Sequence, residues 1–316
     1  MKKIVAFVLS VVVLFSIIPA FAESGRIRIV ATIFPIYDWV REVTGGSENA
    51  EVTLLLDSGV DLHSFQPAAQ DIMKVATCDV FIYVGGESDE WAEDALAEAV
   101  NPGMVVINLV NVLGEGAKAE ETVEGMECEE EEEEPGEEEI DEHVWLSLRN
   151  ARIFVLAIAD ALTQADPEHA DTYRANAEAY AAKLSGLDAA YTDAVRGSAY
   201  HTLLFGDRFP FRYLTDDYGL DYYAAFSGCS AETEASFQTV VFLAQKTDEL
   251  HLPAVLTIEG TNHRIAETVI GSTSSKDQKL LVLNSMQGTT AQDVQQGASY
   301  LAIMEENLAV LKEALN

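Results

Sequence analysis

Two histidines carry the first chemical signal in this sequence. His63 stands in Gly59-Val-Asp-Leu-His63-Ser-Phe-Gln-Pro67, a polar loop that leaves a short apolar run and precedes a helical pattern. His143 stands in Asp141-Glu-His143-Val-Trp-Leu-Ser-Leu148, again where a loop runs into a helix. Neutral imidazole is a borderline-soft donor, so two of them delivered by two loops are the usual start of a zinc or transition-metal site. Either histidine alone would read as a solvated loop residue. The stretch that leads to His143, Glu127 to Glu139, is nearly pure glutamate. Such a block repels itself, stays solvated and raises the local concentration of cations. On charge alone it could equally be a solubilising surface loop.

These residues have to be placed by secondary structure, and the hydrophobic pattern gives two alternating series. In the first, Arg26–Ile33, Val52–Leu56, Val80–Val84 and Val105–Leu109 read as strands. Helical patterns cover Ile36–Val43, Pro67–Val75 and Glu90–Val100, then, after an acidic loop over about 114–140, Val144–Thr163. A long helix follows from Pro167 to about Arg196, with Asp166 as its cap and Tyr173, Ala177, Tyr180 and Leu184 on one face. The second series has strands His201–Phe205, Asp221–Phe226, Ala254–Ile258 and Lys279–Asn284. Between and after them, helices are expected at Phe211–Tyr218, Ser236–Leu250, Arg264–Ile270 and Ala291–Leu315. A turn is expected at Gly206-Asp207. Strands alternating with helices imply mainly parallel sheets with crossover helices. The expectation is therefore an α/β protein of two lobes, 23–165 and 198–316, joined by a backbone helix over 166–197. Ligands of open α/β sheets sit beyond the carboxyl ends of strands, which makes the inter-lobe cleft the default site.

Composition narrows the function classes. The chain of 316 residues has a formal net charge of -34, the wrong sign for nucleic acid or anionic lipid and the right one for a cation. Met1-Lys2-Lys3, an apolar run from Ile4 to Pro19 and Ala20-Phe21-Ala22 read as a secretory leader cut after Ala22, so an exported protein is expected. No cysteine follows the cut, which gives no support to a lipid anchor. Of three cysteines, Cys78 lies in an apolar strand, whereas Cys128 and Cys229 could form a bridge that spacing alone cannot assign. His169 and His251 read as solvated, His201 starts a strand away from the cleft, and His263 lies on the loop beyond Glu259.

Thr32-Ile-Phe-Pro-Ile-Tyr-Asp-Trp-Val40 and the two histidine segments together resemble the zinc/manganese substrate-binding proteins of ABC transporters. The resemblance covers essentially the whole chain after the leader. It implies that His63 and His143 bind metal, and that the protein passes a captured ion, Zn2+ before Mn2+, to a membrane permease as a monomer. Where the resemblance puts a third ligand, this chain has Gly206-Asp207-Arg208, and an arginine cannot ligate. Asp207 is therefore the expected third ligand, with Arg208 orienting a carboxylate. A water, a loop carboxylate or Glu259, just past the strand Ala254–Ile258, is left to fill the remaining place, since Leu283–Met286 offers no carboxylate. An exported zinc-dependent hydrolase, or a surface adhesin or metal buffer, are the alternatives. Against a hydrolase, the sequence has no H-E-x-x-H, no G-x-S-x-G and no phosphate loop.

Overall fold

The computed structural model describes residues 25–126, 139–230, 234–260 and 262–316, so the leader, Cys128 and most of the acidic run lie outside it. The first series runs β1 (Ile27–Ala31), α1 (Phe34–Thr44), β2 (Ala50–Leu54), α2 (Ala69–Thr77), β3 (Val80–Tyr83), α3 (Trp91–Ala97), β4 (Val105–Asn108), α4 (Leu109–Leu113) and α5 (Leu148–Ala165). Its sheet has the order β2-β1-β3-β4, with every pair parallel. Helix α6 (Ala170–Arg196) leads to β5 (Thr202–Phe209), α7 (Arg212–Tyr218), β6 (Asp221–Ser227), α8 (Phe237–Glu249), β7 (Ala254–Thr257), α9 (Arg264–Ser272) and β8 (Lys279–Val282). Two further helices, α10 (Ala291–Gln295) and α11 (Tyr300–Ala314), end the chain. The second sheet is ordered β6-β5-β7-β8 and is also parallel throughout.

The central strands read as continuous apolar runs because helices cover both faces of a parallel sheet. Val80–Tyr83 of β3 and Ala254–Thr257 of β7 are buried along their whole length. Helix ends are set by local chemistry. Pro35 opens α1 and Gly45 closes it in the left-handed conformation, while Ser147, Ser236 and Ser299 accept backbone N–H bonds at the starts of α5, α8 and α11. Asp166 accepts from His169 Nδ1 and Tyr173 Oη at the turn Pro167–His169 that opens α6. At 27 residues, α6 spans roughly 40 Å. It packs on α1 and α5 of the first series and on α7 and α11 of the second.

Three expectations change. The terminal helix is split into α10 and α11, with Gly297 between them at φ +98. Leu109–Leu113, expected as a strand end and loop, is a short helix capped by the Asn108 side chain. The turn expected at Gly206-Asp207 is instead the middle of β5, where the pairing with β6 shifts register between Phe205 and Arg208. Gly206 is there for close approach: a Cβ on it would lie 2.4 Å from the Ala266 Cα of α9.

The core is not two islands. One continuous apolar cluster runs from β1 and α1 through α5 and α6 to Phe205, Leu256 and α11, and a smaller one lies under α8 and α9. Buried beside the larger cluster is the carboxylate of Asp38 on α1, 6% exposed, which accepts a hydrogen bond from Tyr300 N of α11 at 2.8 Å. Trp39 beside it meets the Tyr300 ring edge-on at 5.0 Å. Burial pushes the Asp38 carboxyl up from 3.8 to about 6, against the hydrogen bond from Tyr300.

A carboxyl raised on folding stabilises the fold while protonated, fully below its unfolded value, and that contribution is lost as pH rises through its folded value. Asp38→Asn keeps an acceptor for Tyr300 and cannot ionise. The variant should therefore be more stable than the parent at about pH 8, by at most ~3 kcal/mol, and match it near pH 4. Melting curves across that range check this. A difference that does not change with pH would contradict it.

Candidate metal centre

His63 and His143 are widely separated in sequence, yet their Nε2 atoms lie 3.1 Å apart. Each is presented by the same local device. Asp61 caps the turn Leu62–Ser64 by accepting from His63 N at 3.1 Å, and Asp141 accepts from His143 N at 2.8 Å. The two segments thus share an Asp-x-His spacing in which the carboxylate fixes the backbone of the histidine that follows.

The ring nitrogens on the far sides are also taken. His143 Nδ1 donates to Asp141 Oδ1 at 2.9 Å, and His63 Nδ1 bonds Ser88 Oγ at 2.8 Å with Glu142 Oε2 at 3.5 Å. Tying Nδ1 in this way fixes the ring and aims Nε2 as the donor atom, the outer-partner arrangement of metal-binding histidines. Gln287 Nε2 contacts His143 Nε2 at 3.0 Å and Asp61 Oδ1 at 3.5 Å, completing a polar cluster with both lobes represented.

The electrostatics favour a cation. Burial, the neighbouring His143 and Arg208 push the His63 imidazole down to about 3, although Asp61 and Asp141 act the other way. His63 is therefore neutral and its lone pair is available. Burial also opposes a charge on His143, but Asp141 and Glu142 outweigh it and raise its proton affinity. A cation entering the cluster would take the place of that proton. For Asp61, burial is outweighed by the Arg208 guanidinium and His63, which hold it below the usual carboxylate range. Glu142, whose backbone lies between Asp141 and His143, is pushed up to about 7 by burial while it accepts from Ser88 N at 2.7 Å.

The structure does not bring the two expected carboxylate ligands into this cluster. Asp207 points into the second sheet, accepting from Thr257 Oγ1 and, at 3.3 Å, from Ile258 N. Because residue 207 is in a strand and not on a turn, its carboxylate braces β7. Glu259 accepts from Ser285 N at 2.7 Å, Ser285 Oγ at 2.8 Å and Gly288 N at 3.3 Å. It shapes the loop that carries Gln287 and so acts on the cluster through that residue. Arg208 does orient a carboxylate, that of Asp61, at 2.8 Å.

Among the described residues, the group of potential metal donors that does assemble is His63, His143 and Cys229, with one donor atom of each within 4.8 Å of the others. Cys229 has a free thiol, while Cys128, its possible bridge partner, lies outside the described residues. Burial, with Glu120 and Asp141 nearby, pushes the Cys229 thiol up. The sequence reading missed Cys229, Asp61 and Gln287. The repeated Asp-x-His spacing could have pointed to Asp61; no local pattern marks Cys229 or Gln287. The remaining histidines stay apart: His169 lies between Asp166 and Asn49, and His263, left-handed at φ 56, faces Thr257.

A family model described as zinc-uptake complex component A, periplasmic, matches residues 29–314, and the chain belongs to that family. The zinc-binding protein AdcA of Streptococcus pyogenes serotype M3 is 26% identical over 295 residues, which is 92% of this chain and 56% of AdcA. The chain thus spans little more than half the length of that relative. The high-affinity zinc uptake system protein ZnuA of Bacillus subtilis is 27% identical over 93% of this chain and 89% of its own. Among solved structures, the Zn(II)-bound ZnuA-like domain of Streptococcus pneumoniae AdcA superposes with a TM-score of 0.72 at 26% identity, covering 92% of this chain and 99% of that domain. The family is one of solute-binding proteins for zinc uptake, not of enzymes.

The geometry separates donors from braces. Asp141→Asn should weaken divalent-cation affinity by roughly 10–100-fold, as expected for the outer partner of a ligating histidine, with little change in melting temperature. Asp207→Ala should do the reverse, lowering stability by about 1–3 kcal/mol by leaving buried donors without their acceptor, while affinity stays within a few-fold. Urea denaturation and chelator-competition titrations on both variants test the pair; an Asp207 variant that loses affinity before stability would restore it as a ligand.

Proposed function

We propose that this protein captures Zn2+ outside the cytoplasm, between its two lobes, and delivers it to an ABC-transporter permease. The observation that carries the reading is the pair of Nε2 atoms at 3.1 Å, each on a ring whose Nδ1 is already bonded. That spacing is close to the edge of a tetrahedron around zinc, about 3.3 Å for Zn–N bonds of about 2.0–2.1 Å. The similarity to AdcA and ZnuA, named for zinc binding and zinc uptake, supports the choice of ion. Manganese prefers oxygen donors. Here the carboxylates of Asp207 and Glu259 are engaged by Thr257 and by Ser285, which takes both away from an ion at the two imidazoles.

Export follows from the leader pattern of residues 1–22, and among the described residues no helix is long and apolar enough to cross a membrane. The glutamate run that precedes His143 in the sequence attracts cations to the protein. Cargo release needs only small relative shifts of the lobes, because α6 and the shared core hold them.

The metal-free protein should take up one equivalent of zinc tightly and bind manganese far more weakly in titrations against a competing chelator. His63→Ala and His143→Ala should each lower zinc affinity by orders of magnitude without unfolding the chain. Tight manganese binding, or wild-type affinity in both variants, would sink the reading. Zinc uptake by cells lacking the protein, restored by the parent gene but not by His143→Ala, would test delivery.

A further inference from the structure

Two imidazoles leave a tetrahedral cation short of donors, and among the described residues the side chain that joins both of them in one group of potential donors is the thiol of Cys229. Resting on the zinc-binding reading above, we propose that Cys229 ligates the same ion as a thiolate. The centre then has two nitrogens and one sulfur and selects zinc-like or softer divalent cations against manganese.

Three independent features of the second lobe place this thiol. One donor atom of Cys229 lies within 4.8 Å of those of both histidines. With Zn–N of about 2.0–2.1 Å and Zn–S of about 2.3 Å, the ligand edges of a tetrahedral site are about 3.3–3.6 Å. Only a small side-chain adjustment is needed to close the group on an ion. Secondly, Gly228 lets the chain press against the histidine. A Cβ there would meet His143 Cε1 at 2.8 Å, His143 Nδ1 at 3.0 Å and Phe209 O at 2.9 Å. The peptide before Cys229 is thus one wall of the imidazole site, and no larger residue fits.

Thirdly, the loop is fixed from both sides. Cys229 N donates to Glu120 Oε1 at 3.3 Å, and Arg208 donates to Ser230 O at 3.3 Å. The same guanidinium holds Asp61 at 2.8 Å, two residues before His63. One arginine therefore ties the thiol-bearing loop to the loop of the first imidazole. Binding is a simple exchange: the sulfur forms a bond to the cation and its proton leaves to water. Cys78 cannot take this role, since its thiol is buried and donates to Val75 O at 3.2 Å.

Cobalt(II) loading of the leaderless full-length chain tests the assignment, because a thiolate–cobalt bond gives an intense near-ultraviolet charge-transfer band that nitrogen and oxygen donors do not. The band is expected in the parent, in Cys78→Ser and in Cys128→Ser, and is expected to vanish in Cys229→Ser. Zinc affinity in Cys229→Ser should fall by roughly 100-fold or more, beyond the 10–100-fold typical of outer partners, with manganese binding almost unchanged. A parent that binds zinc through His143 but shows no band, or a band lost in Cys128→Ser, overturns the Cys229 assignment and leaves the zinc reading intact. A parent with no tight zinc site overturns both. If Cys229→Ser does not fold, alkylation of the parent with iodoacetamide decides: zinc should protect Cys229, and equal labelling with and without zinc refutes the proposal.

Discussion

The structure is organised around a fully buried imidazole. His143 has no exposed surface, and a buried polar ring is tolerable only when its nitrogens are satisfied. Asp141 takes Nδ1, which leaves Nε2 for Gln287, His63 or a cation. The segment around it is also where the lobes are sewn together. Tyr213 Oη donates to Asp141 O, Trp145 Nε1 to Ser285 O, Tyr300 Oη to Trp145 O, and Ser147 Oγ to Asp217 Oδ2. The residues that hold the ring are therefore the residues that set the distance between the sheets.

Around that ring, charged residues serve mostly as frame. Arg208 reaches from β5 to Asp61 and Ser230, Glu259 folds the loop of Gln287, and Asp207 bonds the end of β7. The feet of the acidic loop are tied as well: Ala119 bridges Ile140, and Lys118 N donates to Tyr213 Oη. The bonds of Arg208, Glu259 and Asp207 keep a guanidinium and carboxylates from being stranded in a low-dielectric site. The carboxylates that remain close, Asp61, Asp141 and Glu142, bias the site toward positive charge even with Arg208 present.

The shared core limits how such a site can work. Wide hinge opening would expose the apolar cluster that runs from Ile29 to Leu311, with Phe154, Leu184 and Met304 between. Outside the core, Ala291 N bonds Asp57 O and Ser58 pairs with Thr290 across the cleft rim. Motions that load and unload an ion are then limited to small shifts of the lobes and to side chains and short loops, the low-stability parts of a stiff frame.

Much of this was legible in the sequence for local reasons. Alternation of apolar runs and helical patterns is a property of a few neighbouring residues, so the strands and helices of both lobes, and the 27-residue α6, could be read directly. The same holds for His63 and His143, since a histidine at a loop–helix junction needs only its own segment to be noticed. Tertiary structure decided the rest. Gly206-Asp207 looks like a turn in isolation, but packing of Ala266 against Gly206 keeps it in the strand and turns the carboxylate toward Thr257. Cys229, Gln287 and Asp61 become neighbours because two sheets and one arginine bring distant loops together. Propensity is written in neighbours along the chain, whereas a coordination sphere is written in distances across it.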